Sequence, residues 1–240
     1  MWDLLETNSI GRIVVAPGVP AGFALFYTTR DFLGRLTPDL ASSLTDVVRS
    51  HFGIESTLTT CNQVHGKSVR RSPRSPQWHE CDSCDALFTD APRSALAIKV
   101  ADCLPVTLID AEHRVIANIH SGWRGAAQGI TGETIGTLLR ETAFAPANAI
   151  AYLGPSIRAC CFEVGEEVVA AFGADAERYV DRTHPKPHID LAAMTTDVLR
   201  ARGITRVHDS ALCTRCEGSI FHSYRRDPKL GGRNLAIVAM

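Results

Sequence analysis

Three short stretches of this chain hold side chains suited to metal chemistry: "NQVHG" (62–66), "ADCLP" (101–105) and "NIHSGWRG" (118–125). Each sets one good zinc ligand, His65, Cys103 or His120, beside a turn or strand end. Imidazole and thiolate are natural ligands of zinc, and three of them leave a fourth position for water or substrate. Zinc so held lowers the pKa of water to about 7 and polarises a substrate oxygen, which hydrolysis and group transfer both need. Asp102 beside the thiol, and Asn62 and Gln63 beside the first histidine, are the neighbours able to hydrogen-bond these ligands. Taken singly each stretch is ordinary, since a lone buried cysteine is usually a small hydrophobe.

The third stretch adds Ser121 and Arg124 where a strand hands over to a helix. Such a turn offers free backbone N–H groups to an anion, and glycines on both sides let a ligand approach. Arg124 reads either as an anion contact or as the partner of a carboxylate; Trp123 reads as core. "SYRRDPKLGGRN" gathers Arg225, Arg226 and Arg233 into a basic cluster of the kind that usually forms a solvated face. Arg225 is taken as its candidate anion contact.

The elements that must carry these residues are legible mainly from position 94 onward. "SALAIKVADCLPVTLIDAEHRVIANIHS" reads as three apolar strands broken at "ADC" and "DAEH". Ile130, Ile135, Leu138 and Leu139 recur at helical spacing between 129 and 142. "NAIAYLGPSI" is a further strand and "GEEVVAAFG" a short helix. "DLAAMTTDVLRARG" is a helix with Asp190 as N-cap and Gly203 at its end, and "RNLAIVAM" a last strand. "RRSPRSPQWHECDSC" and "DRTHPKPHID" read as irregular connections outside the core. Strands and helices mix without regular alternation, so the expected fold is one α+β or layered α/β domain over 1–240.

The chain has 240 residues and a formal net charge of −1, which argues against a protein that coats nucleic acid. No apolar run approaches the roughly 20 residues needed to cross a bilayer. The N-terminus lacks a basic start followed by an apolar block, so a cytoplasmic address is expected, without a membrane. Its 8 cysteines then read as thiols or ligands rather than disulfides. "CDSC" (81–84) and "CTRC" (213–216) invite a structural four-cysteine zinc site, although nothing in the spacing shows that the two pairs meet.

The three ligand stretches, in this order, resemble the signature of the family long labelled multicopper polyphenol oxidase or laccase-domain proteins. The likeness continues through "DALFTD" (85–90), "LGPSI" and "CCFEVGEEV" (153–168), "DL" (190–191), "LCT" (212–214) and "FHSYRRD…GRNLAIV" (221–238). Members are now regarded as zinc-dependent purine nucleoside phosphorylases with adenosine deaminase activity. The resemblance implies a metal held by His65, Cys103 and His120, with these residues and Arg124 catalytic. It also implies purine nucleosides (adenosine, inosine, methylthioadenosine) and phosphate as partners, phosphate lying near Ser121, Arg124 and Arg225. The implied fold is a four-layer α-β-β-α domain like that of the cytotoxic necrotizing factor toxins, as a monomer or homodimer. The first third departs from the pattern: "TTR" is followed by "DFLGRLTPDL" where the family has a Gly-Gly-x-Ser turn.

Three rival readings follow from the same residues. A laccase with a trinuclear copper centre calls for His-x-His pairs, which the 9 histidines do not form, so copper is expected only as an adventitious occupant. Alternatively Cys103 and His120 form a metal-free nucleophile and base acting on amides, as in relatives described as peptidoglycan editing factors. The third is a non-catalytic, zinc-stabilised interaction module. For proton transfer Asp102 and Glu163 are the candidates; Glu163 and Asp85 read equally as structural hydrogen-bonding residues.

Overall fold

The computed structural model describes residues 2–32, 37–75 and 77–240. It opens with β1 (Asp3–Thr7), β2 (Gly11–Val15), β3 (Ala24–Thr28) and helix α1 (Pro38–Phe52). The short strands β4 (Thr57–Cys61), β5 (Val69–Arg71), β6 (His79–Cys81) and β7 (Ala86–Thr89) follow. Next come β8 (Ser94–Val100), β9 (Leu104–Asp110) and β10 (Val115–Ser121), then α2 (Trp123–Ala127) and α3 (Ile130–Glu141). The remainder is β11 (Ile150–Leu153), α4 (Glu166–Ala171), β12 (Val180–Asp181), β13 (His188–Ile189), α5 (Leu191–Ala201), β14 (Arg206–Asp209) and β15 (Asn234–Ala239).

The result is a mixed α/β architecture. One sheet runs β1-β2-β3-β15-β8-β4-β6 and another β14-β11-β9-β10-β7-β5, while β12 and β13 pair alone. β9 and β10 are buried along their whole length, with side chains on both faces covered. Leu96, Ile98 and Val238 of the first sheet meet Leu87, Ile109 and Ile116 of the second in one apolar cluster. On its other side the first sheet takes Leu44, Val47 and Val48 of α1. The second sheet likewise takes Ile135 and Leu138 of α3 and Leu199 of α5. Burying apolar side chains at about 25 cal/mol per Å² is what holds these layers together.

Local signals fix the helix ends. Leu40 N–H donates to the Thr37 hydroxyl, Pro38 opens α1, and Gly53 closes it in the left-handed region at φ 69°. Asp190 caps α5 by accepting from Ala193 N–H, as its sequence predicts. The strands expected between 94 and 121 are β8, β9 and β10.

Two segments expected to be irregular contribute more. "RRSPRSPQWHECDSC" supplies β6, which pairs in parallel with β4, and Cys81 and Cys84 are buried in the core. "DRTHPKPHID" contains Asp181 of β12 and all of β13, and buries Ile189. The β4–β6 pairing joins residues about 20 apart across a proline- and serine-rich connection, so local turn chemistry does not announce it. Within the divergent "DFLGRLTPDL", residues 33–36 lie outside the described residues.

Candidate active site

Chain reversals at the sheet ends bring the three predicted ligands together. His65 stands in the loop after β4, Cys103 in the turn between β8 and β9, and His120 near the end of β10. One ligand atom from each lies within 4.8 Å of the others. The His65 and His120 rings meet edge to face with centroids 4.8 Å apart. His65 and Asp102 occupy left-handed backbone at φ 60° and 82°. Such conformations are uncommon for non-glycine residues and cluster at functional sites.

Asp85, at the start of "DALFTD", organises the group. It is completely buried, and its Oδ1 accepts from His120 Nδ1 at 2.8 Å and from His65 N–H at 2.9 Å. Its Oδ2 accepts from Gly66 N–H at 2.8 Å and Val64 N–H at 3.3 Å. One carboxylate thus shapes the His65 loop and engages His120 Nδ1, leaving Nε2 for Cys103. Burial works to raise the Asp85 pKa, but His120 and the N–H donors outweigh it and hold the carboxyl below its usual range. Burial also opposes charge on His120, yet Asp85 and Cys103 push its pKa up to about 9. The same imidazole, with His65, overcomes desolvation of Cys103 and brings its thiol down to about 7.

The glycines of the opening stretch now have physical reasons. A Cβ on Gly122 would stand 3.0 Å from Cys103 Sγ and 3.2 Å from His65 Cδ2, inside the ligand group. A Cβ on Gly125 would stand 2.7 Å from the Gly66 carbonyl oxygen, so α2 packs directly on the His65 loop. The loop is clamped from its other side by Gln63, whose amide exchanges two 2.7 Å hydrogen bonds with the Lys99 backbone. Gln63 therefore positions the loop rather than a ligand ring.

Two cavities meet at Cys103. One of about 360 Å³ is lined by His65, His120, Cys103, Lys99, Tyr224 and Arg233. The other, of about 570 Å³, has Trp123, Phe162 and Tyr224 on its walls, with Glu163 and Arg225. Both volumes fall in the range of small-molecule sites. Trp123, read as core, is half-buried and forms part of a wall.

The anion contacts are placed differently from the expectation. Arg124 is exposed, its guanidinium lies over its own neighbour's ring, that of Trp123, at 4.2 Å, and it lines neither cavity. Ser121 is fully buried with no partner for its hydroxyl. Arg225 reaches the second cavity but donates to the Glu163 carbonyl at 2.9 Å. Lys99, which sequence reasoning passed over, and Arg233 are the cations of the first cavity. Lys99 sits at the polar end of an otherwise apolar strand, and that is the signal that could have found it.

Asp102 is engaged on both oxygens, by the Thr214 hydroxyl and by Arg225 N–H, each at 2.6 Å. It fixes the turn that carries Cys103. Glu163 is exposed and paired with Lys186 at 3.0 Å, which holds its carboxyl below the usual range. Cys213 and Cys216 do not join Cys81 and Cys84; they meet Cys160 and Cys161 instead.

The donor set suits a thiophilic, imidazole-binding ion: two rings and a sulfur converge, a buried carboxylate sits behind one ring, and a glycine leaves room beside all three.

Known proteins share this chain's plan. A Haemophilus influenzae protein named purine nucleoside phosphorylase is 31% identical over 233 residues, covering 89% of this chain and 93% of its own length. A Clostridium acetobutylicum protein of the same name is 31% identical over 64% of this chain, and the match spans 66% of that relative, just under two thirds. Adenosine deaminase RL5, from an unknown prokaryotic organism, is 36% identical over 60% of this chain and 58% of its own. The crystal structure of Neisseria meningitidis protein NMB0706 superposes with a TM-score of 0.78 at 27% identity, over 95% of this chain and 98% of that one. Residues 41–240, which contain all three ligands, match the family described as multi-copper polyphenol oxidoreductase laccase, and the chain belongs to that family.

Proposed function

We propose that this chain is a zinc-dependent purine nucleoside phosphorylase. It cleaves adenosine and inosine, with methylthioadenosine as a further substrate, to free base and ribose 1-phosphate, and deaminates adenosine as a side activity. The observation that carries this reading is the convergence of His65, Cys103 and His120 where two cavities meet, with Asp85 behind His120. The names of the relatives point the same way. His65, Cys103 and His120 would hold the metal, which when bound supplies Lewis acidity toward a substrate oxygen and activates water near neutral pH. Copper binds many nitrogen and sulfur sites more tightly than zinc and is read as an adventitious occupant.

The chain's own residues divide the remaining work. Trp123, Phe162 and Tyr224 offer flat apolar surface to a purine base. Lys99, paired with Glu80 at 3.1 Å, and Arg233 line the adjoining cavity and offer positive charge to phosphate, the part that the sequence assigns to Ser121, Arg124 and Arg225. Asp85 keeps the His120 proton on Nδ1, so that Nε2 is free to bind. Glu163, kept ionised by Lys186, is fitted to accept a hydrogen bond or proton from the substrate rather than to donate one. This reading places the protein in a reducing cytoplasm, where its eight cysteines serve as thiols or metal ligands.

The test is to incubate zinc-replete protein with adenosine and with inosine, with and without phosphate, and to identify the products. Ribose 1-phosphate formed only with phosphate supports the proposal; free ribose regardless of phosphate makes the protein a hydrolase.

One observation favours a second reading. Cys103, His120 and Asp85 are arranged as thiol, base and orienting carboxylate, and the thiol pKa lies at about 7. That set would serve a metal-free amidase acting in peptidoglycan editing. His65 separates the two: a thiol–imidazole pair does not need it, so His65→Ala abolishes nucleoside cleavage but spares amidase activity.

A further inference from the structure

Apart from the three-ligand site, four cysteines converge from two loops. Cys160 and Cys161 follow β11, and Cys213 and Cys216 follow β14. Their sulfurs all lie within 4.8 Å of one another. Cys161 and Cys216 are 3.4 Å apart, Cys160 and Cys161 3.7 Å, and Cys160 and Cys216 3.9 Å. A disulfide would bring a pair to about 2.05 Å. A tetrahedral ion with metal–sulfur bonds of about 2.3 Å sets its sulfurs about 3.8 Å apart, the spacing seen here.

We infer that Cys160, Cys161, Cys213 and Cys216 form a second metal site, a structural tetrathiolate zinc centre separate from the three-ligand site. Arg215, which lies between Cys213 and Cys216 in the second loop, brings a positive charge to a cluster in which four thiolates would surround a divalent ion. Cys161 and Cys213 are buried while Cys160 and Cys216 reach the surface, which leaves an entry path. Four protein ligands close the coordination shell, as structural rather than catalytic zinc requires.

The position explains what the ion would do. Ser156 and Cys213 bridge the two loops, with Thr214 N–H donating to the Ser156 carbonyl at 3.0 Å. Thr214 in turn donates its hydroxyl to Asp102, next to Cys103. Phe162 and Glu163, directly after Cys161, line the larger cavity. The ion therefore staples the wall of that cavity to the turn carrying Cys103. The site stands on sulfur geometry and does not depend on the nucleoside reading.

The test is metal content and cobalt spectroscopy of the full chain, purified under reductant and loaded with zinc chloride or cobalt chloride. Wild type binds two ions per chain, and a His65→Ala/His120→Ala variant keeps one. That variant, loaded with cobalt, shows the sulfur-to-cobalt charge-transfer bands of tetrathiolate coordination. Cys213→Ser loses those bands and one ion. The histidine variant, which leaves all four cysteines in place, provides the deciding spectrum whether or not Cys213→Ser folds. One ion per chain in wild type and none in the histidine variant would overturn the proposal. So would a mass spectrum showing these cysteines as disulfides in the zinc-treated protein.

Discussion

Replacing Asp85 by asparagine tests whether the buried carboxylate sets up the site. Each carboxylate oxygen accepts two N–H groups: Oδ1 from His120 and His65, Oδ2 from Gly66 and Val64. Asparagine keeps one acceptor and puts an NH₂ where the other stood. With the amide oxygen at the Oδ1 place, Gly66 and Val64 N–H groups face a donor. With the amide reversed, His65 N–H is orphaned and His120 must move its proton from Nδ1 to Nε2, the nitrogen needed for metal. Each orphaned buried donor costs about 1–3 kcal/mol. For a chain of this size that is a fall in Tm of about 2–4 °C per kcal/mol. Loss of such a partner behind a ligating histidine typically weakens metal binding roughly 10- to 100-fold, or about 1.4–2.7 kcal/mol. Competition with a zinc chelator of known affinity measures the second effect and a melting curve the first. Zinc affinity within about threefold of wild type, below about 0.7 kcal/mol, would refute the role given to Asp85.

Four further perturbations read other parts of the site. Gly122→Ala suits its backbone, at φ −69° and ψ 162°, but drives a Cβ against Cys103 and His65. It should weaken zinc binding at least about tenfold while costing under about 1.5 kcal/mol of stability; calorimetry and melting separate the two. Gly125→Ala forces backbone against backbone and should cost about 1–3 kcal/mol of stability, read from the urea midpoint. Metal binding should also depend on pH in a defined direction. His120 is protonated up to about pH 9 and Cys103 above about pH 7 is thiolate, so between these values binding expels about one proton from His120. Affinity then rises about tenfold per pH unit, more steeply below about 7 where Cys103 gives up a second proton, and flattens above about 9. Calorimetry in buffers of different protonation heat counts these protons, and pH-independent binding between 7 and 9 would contradict the ionisation states given. Arg233→Met should raise the KM for phosphate about tenfold with little change for the nucleoside, as loss of a charge-assisted contact of about 1–2 kcal/mol would do.

The three candidate ligands were legible because each stands in a short turn motif beside an apolar run. The strands β8, β9 and β10 were legible for the same reason, since their side chains are covered on both faces. What the chain hides are relations between distant residues. Asp85 reads as one acid before "ALF", and only the return of β10 alongside β7 sets it against His120. The two C-x-x-C pairs suggest one another, yet the pairing of β14 with β11 brings Cys213 and Cys216 to Cys160 and Cys161. Arg124 looks like an anion ligand from its neighbours in sequence, but its side chain lies back over Trp123. The edge strand β6 was missed because proline, serine and charge dominate its approach, and its partner β4 lies across a connection of 17 residues from Asn62 to Trp78.

The central claim is that two imidazoles and a thiolate share one ion. Diffraction at the zinc absorption edge from crystals of zinc-loaded protein tests it most directly. An anomalous peak is expected about 2.0–2.1 Å from a ring nitrogen of both His65 and His120 and about 2.3 Å from Cys103 Sγ, with a fourth position not filled by protein. Zinc bound elsewhere in the chain, with no peak among these three residues, would contradict it.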